Sequence, residues 1–102
     1  AMERATEYAT RVPLRTMEQA VKVFPLAQLM AEQGNPASVS DAGVGALAAR
    51  VAVRGALLNV KINAAGLKDR ELADSLVARA EAIAAEAETL EASVLKVVEE
   101  KI

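Results

Sequence analysis

Residues 34–63 read GNPASVSDAGVGALAARVAVRGALLNVKIN, and this stretch decides the fold of the chain. It opens with a Gly-Asn-Pro cluster, which ends a preceding helix and cannot continue it. No further proline follows within the stretch, and its Ala, Val and Leu residues recur at the three- and four-residue spacing of a helix. The stretch therefore predicts one long helix, which begins near Asp41 and ends at Leu58 or as late as Asn63.

The start of this helix has two candidate caps. Ser38 or Ser40 is suited to the N-cap position, because its hydroxyl accepts a hydrogen bond from a free backbone N–H. Asp41 would then lie in the first turn, where a carboxylate interacts favourably with the helix dipole. Segment 58–63 alternates like a strand, but no partner strand is found in the chain, which favours a helix there as well.

The chain before this stretch also predicts helices. Residues 2–11 form one, which must end or bend at Pro13 because the residue before a proline avoids the α region. A second helix covers residues 14–33, and Pro25 predicts a kink or break in it near Phe24. The apolar positions that supply the buried face of this second helix are Val21, Phe24, Leu26, Leu29 and Met30.

The chain after the stretch predicts a last helix, with Asp69 as its N-cap and its end near Glu100. Its apolar residues follow a heptad repeat with small residues at one position and larger ones at the other. Small residues at one heptad position allow a neighbouring helix to approach closely. The small set is Ala73, Ala80, Ala87 and Val94, and the larger set is Leu76, Ile83, Leu90 and Val97.

Composition agrees with an all-α fold, a multi-helical bundle of long packed helices in a single unit over residues 1–102. The chain has 102 residues, of which 53% are hydrophobic and only 2% aromatic, and 23 are alanine. Much Ala with few aromatic residues favours helices over a β-sandwich or barrel.

Several classes of function are disfavoured by the residues that are missing. The chain has no Cys and no His, which excludes disulfides, thiolate catalysis, catalytic triads and the commonest metal ligands. A net charge of −2 argues against non-specific nucleic-acid binding. The sequence indicates neither a membrane span nor a signal peptide, and we expect a cytoplasmic protein without a membrane partner.

One stripe of the long helix carries almost no bulk. Its members follow helical spacing: Asp41, Gly45, Ala48, Ala52, Gly55, Asn59 and Ile62 or Asn63. The simpler interpretation is close packing against another helix, and the functional one is a slot for a flat ligand with polar ends. Arg50, Arg54 and Lys61 share another face, which is most simply a solvated one.

The quoted stretch resembles the cyclodeaminase family, which includes the C-terminal domain of formiminotransferase-cyclodeaminase and the stand-alone methenyltetrahydrofolate cyclohydrolases. The resemblance rests on GNP at 34–36, SVSDAGVGAL at 38–47, LNVKIN at 58–63 and LKD at 67–69, which occur in order and at matching spacing. VPL at 12–14 also looks like the family.

The resemblance implies folate one-carbon chemistry. The reaction is cyclodeamination of 5-formiminotetrahydrofolate or hydrolysis of 5,10-methenyltetrahydrofolate, with a tetrahydrofolate derivative as substrate and no metal. On this basis we expect Asp41 to be catalytic. The expected substrate-binding residues are Asn35, Ser38, Ser40, Gly45, Asn59, Lys61 and Asn63. The alternative is a non-enzymatic helical oligomerisation module.

Members of the family are considerably longer at the N-terminus, so the chain resembles the C-terminal half of a larger helical domain. We expect the N-terminal half of that domain as a partner, and a homodimer or higher oligomer. Asp41 and Asn59 lie about 27 Å apart along one helix at 1.5 Å per residue. They therefore serve opposite ends of a long ligand, belong to two sites, or meet across a symmetric dimer.

Overall fold

A computed structural model describes all 102 residues as four helices and no strands. They are α1 (Met2–Ala20), α2 (Val23–Gln33), α3 (Pro36–Ala64) and α4 (Arg70–Lys101). α1 and α2 follow one another as a single broken rod, and this rod and α4 both run antiparallel to α3. The result is an elongated three-rod bundle of 52 × 18 × 15 Å. The all-α prediction is confirmed.

α1 continues through Pro13, and the predicted end of the helix there is wrong. Pro13 has no N–H to donate to the carbonyl of Ala9, four residues earlier. The side chain of Asn63 replaces that donor, because its Nδ2 lies 3.1 Å from the Ala9 carbonyl oxygen. A residue of α3 thus supplies the hydrogen bond that the proline removes from α1.

The break in the first rod lies at Val21 and Lys22, between α1 and α2. Pro25 falls in the first turn of α2, where a backbone N–H has no helical acceptor in any case. The predicted break near Phe24 is therefore confirmed, a few residues before the proline.

The N-terminus of α3 is capped by Asn35, and the prediction of Ser38 or Ser40 as the cap is wrong. The Asn35 side chain accepts a hydrogen bond of 3.0 Å from the backbone N–H of Ser38, and Pro36 occupies the first helical position, which suits its fixed φ. The helix therefore begins five residues before Asp41, which places Asp41 in the second turn rather than the first.

Gly34 ends α2 in an extended conformation. A Cβ atom there would lie 2.5 Å from the Met30 carbonyl oxygen and 2.7 Å from the Ser38 Cβ. Close approach of the two helix ends therefore requires glycine at this position.

The buried face of α2 is only partly the predicted one. Phe24 is buried, with 1% of its surface exposed, whereas Leu26, Leu29 and Met30 are exposed. The break at residues 21–22 starts a new helix whose buried side follows the spacing Phe24, Ala27, Ala31. Ala27 and Ala31 therefore occupy the core positions, which the prediction of one continuous helix over residues 14–33 gave to larger side chains.

α4 follows its prediction closely. Asp69 caps it, accepting a 3.1 Å hydrogen bond from the backbone N–H of Leu72. All four small heptad positions are buried, and so are Leu76 and Ile83, while Leu90 and Val97 are partly buried against the core. The close approach expected of a seam with small residues is thus realised within the chain.

Replacing Ala87 with leucine is expected to lower the free energy of unfolding by about 1–3 kcal/mol, because Ala87 has no exposed surface and no room for three more carbons. Ala92→Leu, on the exposed side of the same helix, is the matched control and should change stability by less than about 0.5 kcal/mol. Urea unfolding measures both. Equal stability of Ala87→Leu and the parent chain would contradict the packing of this seam.

Glu3 attaches the N-terminus of α1 to the turn between α3 and α4. Its carboxylate accepts hydrogen bonds from the backbone N–H groups of Lys68, at 3.0 and 3.1 Å, and of Asp69, at 3.1 Å. These two donors, Lys68 first, lower the pKa of Glu3 below its ordinary value. Folding therefore favours the charged carboxylate.

A pH-dependent loss of stability follows from the lowered pKa of Glu3. The contribution is present above the pKa of the unfolded state and is lost as the pH falls through the lower pKa of the folded state. Glu3→Gln is therefore expected to have a lower Tm than the parent chain at neutral pH, and this difference should disappear in strong acid. Thermal unfolding followed from neutral to strongly acidic pH measures it, and a difference that does not vary with pH would contradict it.

α3 is long and apolar enough to cross a membrane when judged by length and composition alone, and 39% of its most apolar window is buried inside the bundle. The central helix of a compact bundle meets the same two criteria.

Candidate functional site

The predicted site residues form two groups at opposite ends of α3. Because α3 is one uninterrupted helix, the separation of about 27 Å between Asp41 and Asn59 holds in the folded chain. One protomer does not bring them together. The N-terminal group is Asn35, Ser38, Ser40, Asp41 and Gly45, and the C-terminal group is Asn59, Lys61 and Asn63.

The N-terminal group lies on an open surface. Asn35 and Ser38 are engaged in the helix cap, while Ser40 and Asp41 are exposed. Asp41 takes part in no ion pair. A Cβ atom on Gly45 would have nothing within 4 Å, so no helix of this chain approaches it.

Asn59 and Asn63 of the C-terminal group border a groove of about 380 Å³ between α1 and α3. The side chain of Asn63 is fixed there by its hydrogen bond to the Ala9 carbonyl. The hydroxyl of Thr16 donates a hydrogen bond of 3.2 Å to the Val12 carbonyl. Asn59 is exposed and makes no hydrogen bond within the chain, so its amide is available to a ligand. The lining residues are Val12, Pro13, Thr16, Ala52, Ala56, Asn59 and Asn63.

The α1 side of this groove was not identified from the sequence as part of a site. Val12, Pro13 and Thr16 belong to a segment in which a helix end was expected. The available signal was the VPL segment at 12–14, which the structure places opposite Asn59 and Asn63 of the LNVKIN segment. Two family-like motifs far apart in sequence therefore form the two walls of one groove.

Lys61 faces away from this groove, toward α4. Its Nζ lies 3.0 Å from a carboxylate oxygen of Glu81, and Arg50 approaches Glu88 at 3.6 Å. These two ion pairs connect α3 to α4. Arg50 and Lys61 therefore do not belong to a purely solvated face. Nε and Nη1 of Arg50 are buried without hydrogen-bond partners.

The stripe of small residues does not pack within the chain. Gly45 and Gly55 both face open space, and Ala48 and Ala52 are exposed. The small residues of α3 that are buried in the bundle are Ala42, Ala46, Ala49, Ala56 and Ala64.

Comparison with known proteins gives the family. The sequence model described as formiminotransferase-cyclodeaminase matches residues 1–82, which include both groups of predicted residues and the whole groove. The chain belongs to this family. Within it, the chain is similar to the methenyltetrahydrofolate cyclohydrolase of Methylorubrum extorquens, with 39% identity over 101 residues, 99% of the chain and 49% of that relative.

A second member of the family is more distant. The formimidoyltransferase-cyclodeaminase of Rattus norvegicus is 33% identical over 95 residues, which cover 93% of the chain and 18% of that relative. The chain therefore spans about half the length of the first relative and a smaller share of the second. Both names agree with the family resemblance of residues 34–69.

No group of three or more His, Cys, Asp or Glu side chains lies close enough to hold a metal ion. Metal-free chemistry remains a prediction. Among the predicted site residues, the polar groups that a ligand could meet are amides, hydroxyls, the ammonium group of Lys61 and the carboxylate of Asp41.

Proposed function

We propose that the chain forms part of a folate one-carbon enzyme and that the enzyme is a methenyltetrahydrofolate cyclohydrolase, with cyclodeaminase as the second candidate reaction. The observation that supports this most directly is the groove between α1 and α3, where the two family-like segments meet around an unpaired amide. Similarity to a cyclohydrolase over nearly the whole chain supports the choice of reaction.

The reaction sets clear demands on a site. Water adds to the cationic methenyl carbon between N5 and N10 and loses a proton to a base, which leaves a tetrahedral carbon bearing a hydroxyl. The hydroxyl then loses its proton and becomes the formyl carbonyl as the bond from this carbon to N5 breaks, N5 takes up a proton, and 10-formyltetrahydrofolate is formed. The protein must hold the ring system, stabilise the cationic carbon and accept a proton, all of which carboxylates and amides can do.

The groove suits the flat ring of a pterin. Ala52 and Ala56 give it a floor without bulk, and Val12 and Pro13 give it an apolar wall. The Asn59 amide carries one acceptor and two donor hydrogens, which match the alternating donors and acceptors on the edge of a pterin. Asn63, held by Ala9, positions this wall rather than binding the ligand directly.

The remaining predicted contacts fit less directly. Lys61 as a contact for the anionic tail of folate stays a prediction, since its ammonium group already pairs with Glu81. The catalytic role of Asp41 requires a second polypeptide segment or a second copy, because about 27 Å separates it from Asn59 in one protomer. We propose that the remaining half of the domain supplies the wall that faces this groove.

Ligand binding tests the proposal with the chain itself. A tetrahydrofolate analogue at about 100 times its Kd is expected to raise the free energy of unfolding by about 2.7 kcal/mol. Ala52→Phe fills the floor of the groove and should abolish this gain, while Ala92→Phe, on the exposed side of α4, should retain it. If the analogue still stabilises Ala52→Phe, the binding site lies outside this groove. If the analogue does not stabilise the parent chain, this half of the domain does not bind folate by itself.

A non-enzymatic association module is the second candidate function. The observation that favours it is the row of exposed aliphatic residues along α3, which a monomeric protein rarely presents to water. Self-association without any response to folate would support the module and contradict the enzyme.

A further inference from the structure

Two exceptions to the usual rules of helix sequences meet beside the groove. Pro13 lies in the interior of α1, where a proline costs helix stability because it has no N–H to donate to the carbonyl four residues earlier. Asn63 is a half-buried amide in the last turn of α3. Its Nδ2 donates to the Ala9 carbonyl, which is the one that the proline leaves open. Each exception therefore compensates the other, and both residues line the groove.

A proline that is merely tolerated in a helix does not need a partner from another helix. Water can hydrogen-bond an open carbonyl at the surface of a protein. The bond from Asn63 instead crosses from α3 to α1 and joins residues 54 positions apart. Departures from local rules that a distant contact compensates are expected at functional sites. The pairing of Pro13 with Asn63 therefore points to a role in the groove.

The bond to Asn63 determines which part of α1 faces the unpaired amide of the groove. α1 runs antiparallel to α3, so four residues beyond Ala9 correspond to four residues before Asn63, about 6 Å along each helix axis. Pro13 therefore lies at the level of Asn59. If α1 slid by one residue, this level would change by about 1.5 Å.

A second attachment holds the same half of α1. The carboxylate of Glu3 accepts hydrogen bonds from the backbone N–H groups of Lys68 and Asp69, in the turn after α3. This attachment lies six residues before the bond to Asn63, about 9 Å along the axis of α1. One attachment alone would leave the helix free to pivot, and two restrict it. The bond to Asn63 is the one beside the groove.

We propose that Pro13 and Asn63 are a pair of positioning residues. The proline leaves the Ala9 carbonyl open, and the asparagine uses that carbonyl to hold the α1 wall of the groove at a fixed level and distance from Asn59. Neither residue supplies a proton or a charge to the reaction. The pair reduces the cost of ordering the two walls when a flat ligand binds. The inference rests on the proposed function, because its ligand is the ring system of folate.

Thermal unfolding of four chains tests the pair without a ligand. The chains are the parent, Asn63→Ala, Pro13→Ala and the double variant. Asn63→Ala is expected to lower the Tm, because the Ala9 carbonyl loses its donor. Pro13→Ala should match or exceed the parent Tm, since alanine supplies that donor from within α1. In this background the loss of Asn63 should lower the Tm by at most about half as much as in the parent chain. Equal losses in the two backgrounds would overturn the pair.

The affinity for folate separates positioning from stability. The Kd of a tetrahydrofolate analogue is measured for the same four chains. Asn63→Ala is expected to raise this Kd about tenfold. In Pro13→Ala the bond from Asn63 persists, since a carbonyl oxygen has two lone pairs. The double variant should therefore also bind about tenfold more weakly than Pro13→Ala, although the Tm values of these two are similar. Both lack the proline ring, so any contact of that ring with the ligand cancels.

Ser93→Ala is the matched control for Asn63→Ala. The Ser93 hydroxyl donates a hydrogen bond of 3.2 Å to Oε1 of Gln28, which also joins two helices, α4 and α2, but lies outside the groove. Its removal should leave the Kd unchanged, and circular dichroism verifies that each variant keeps its helices. Equal weakening of binding by Ser93→Ala would mean that affinity follows general stability, which would overturn the positioning role.

Two further results distinguish the positioning role from the proposed function. If the double variant has the same Kd as Pro13→Ala, the bond serves stability alone, and the positioning role is overturned while folate binding stands. If the parent chain binds no analogue, the proposed function of this half and the positioning role are both overturned. The unfolding of the four chains would then still decide whether Pro13 and Asn63 compensate each other.

Discussion

Replacing Phe24 with alanine is expected to lower the free energy of unfolding by about 3–5 kcal/mol, the largest effect of any single substitution argued for this chain. Phe24 is the only phenylalanine, and 1% of its surface is exposed. It enters the core at the start of α2, directly after the break at Val21 and Lys22. The small neighbours Ala27 and Ala31 cannot extend into the space that its ring leaves.

Leu26→Ala is the matched control for Phe24. It removes a large side chain two residues away that is 65% exposed, and it should change the free energy of unfolding by less than about 0.5 kcal/mol. Urea unfolding of both variants measures the difference. Similar losses in the two would mean that α2 is rotated relative to the structure described here, with Leu26 in the core.

The parts of the fold that the sequence predicted are those governed by local rules. α4 has a cap at Asp69 and a heptad of small and large residues, both of which act within a few residues of one another. α3 likewise follows from an uninterrupted helical pattern after Pro36. In α4 the pattern that predicts the structure is also the pattern that packs, since Ala73 and Ala80 are buried.

The parts that the sequence did not predict depend on contacts between distant residues. Pro13 ends a helix by local rules, and it is tolerated here because Asn63, fifty residues later, hydrogen-bonds the carbonyl of Ala9. Asn35 was not recognised as the cap because two serines nearby were equally suitable by residue type. The exposed side of α2 does not follow from the sequence pattern, because that pattern assumes one helix over residues 14–33. The break at Val21 and Lys22 rotates the buried side of the residues that follow it.

The candidate site divides in the same way. Asn59 and Asn63 were identified from their motif, and the structure places both in the groove. The facing wall, Val12 and Thr16, belongs to another helix, and its one sign in the local sequence is the family-like VPL segment at 12–14. Asp41 was expected at the helix N-terminus, and the earlier start at Pro36 moves it one turn into α3, exposed and unpaired.

Exchange of Asp41 for asparagine is expected to reduce turnover at least tenfold in the assembled enzyme, which corresponds to about 1.4 kcal/mol of transition-state stabilisation. The carboxylate is the one anionic group among the predicted site residues, and the methenyl carbon that it would face is cationic. Asparagine keeps the size and the hydrogen-bonding oxygen but removes the charge. A lower kcat with little change in KM is the expected pattern, because the charge acts mainly on the reacting carbon.

Stability provides the internal control for Asp41. The side chain makes no ion pair that folding would lose, so the free energy of unfolding should change by less than about 0.5 kcal/mol. Asn59→Ala should instead raise KM, because its amide is expected to hold the ring in the ground state and the transition state alike. Full turnover in Asp41→Asn would remove the carboxylate from the site, and chemistry would then depend on a base from the other half of the domain. A loss that appears in KM alone would make Asp41 a binding residue, which a neutral asparagine replaces poorly when the ligand carries a positive charge.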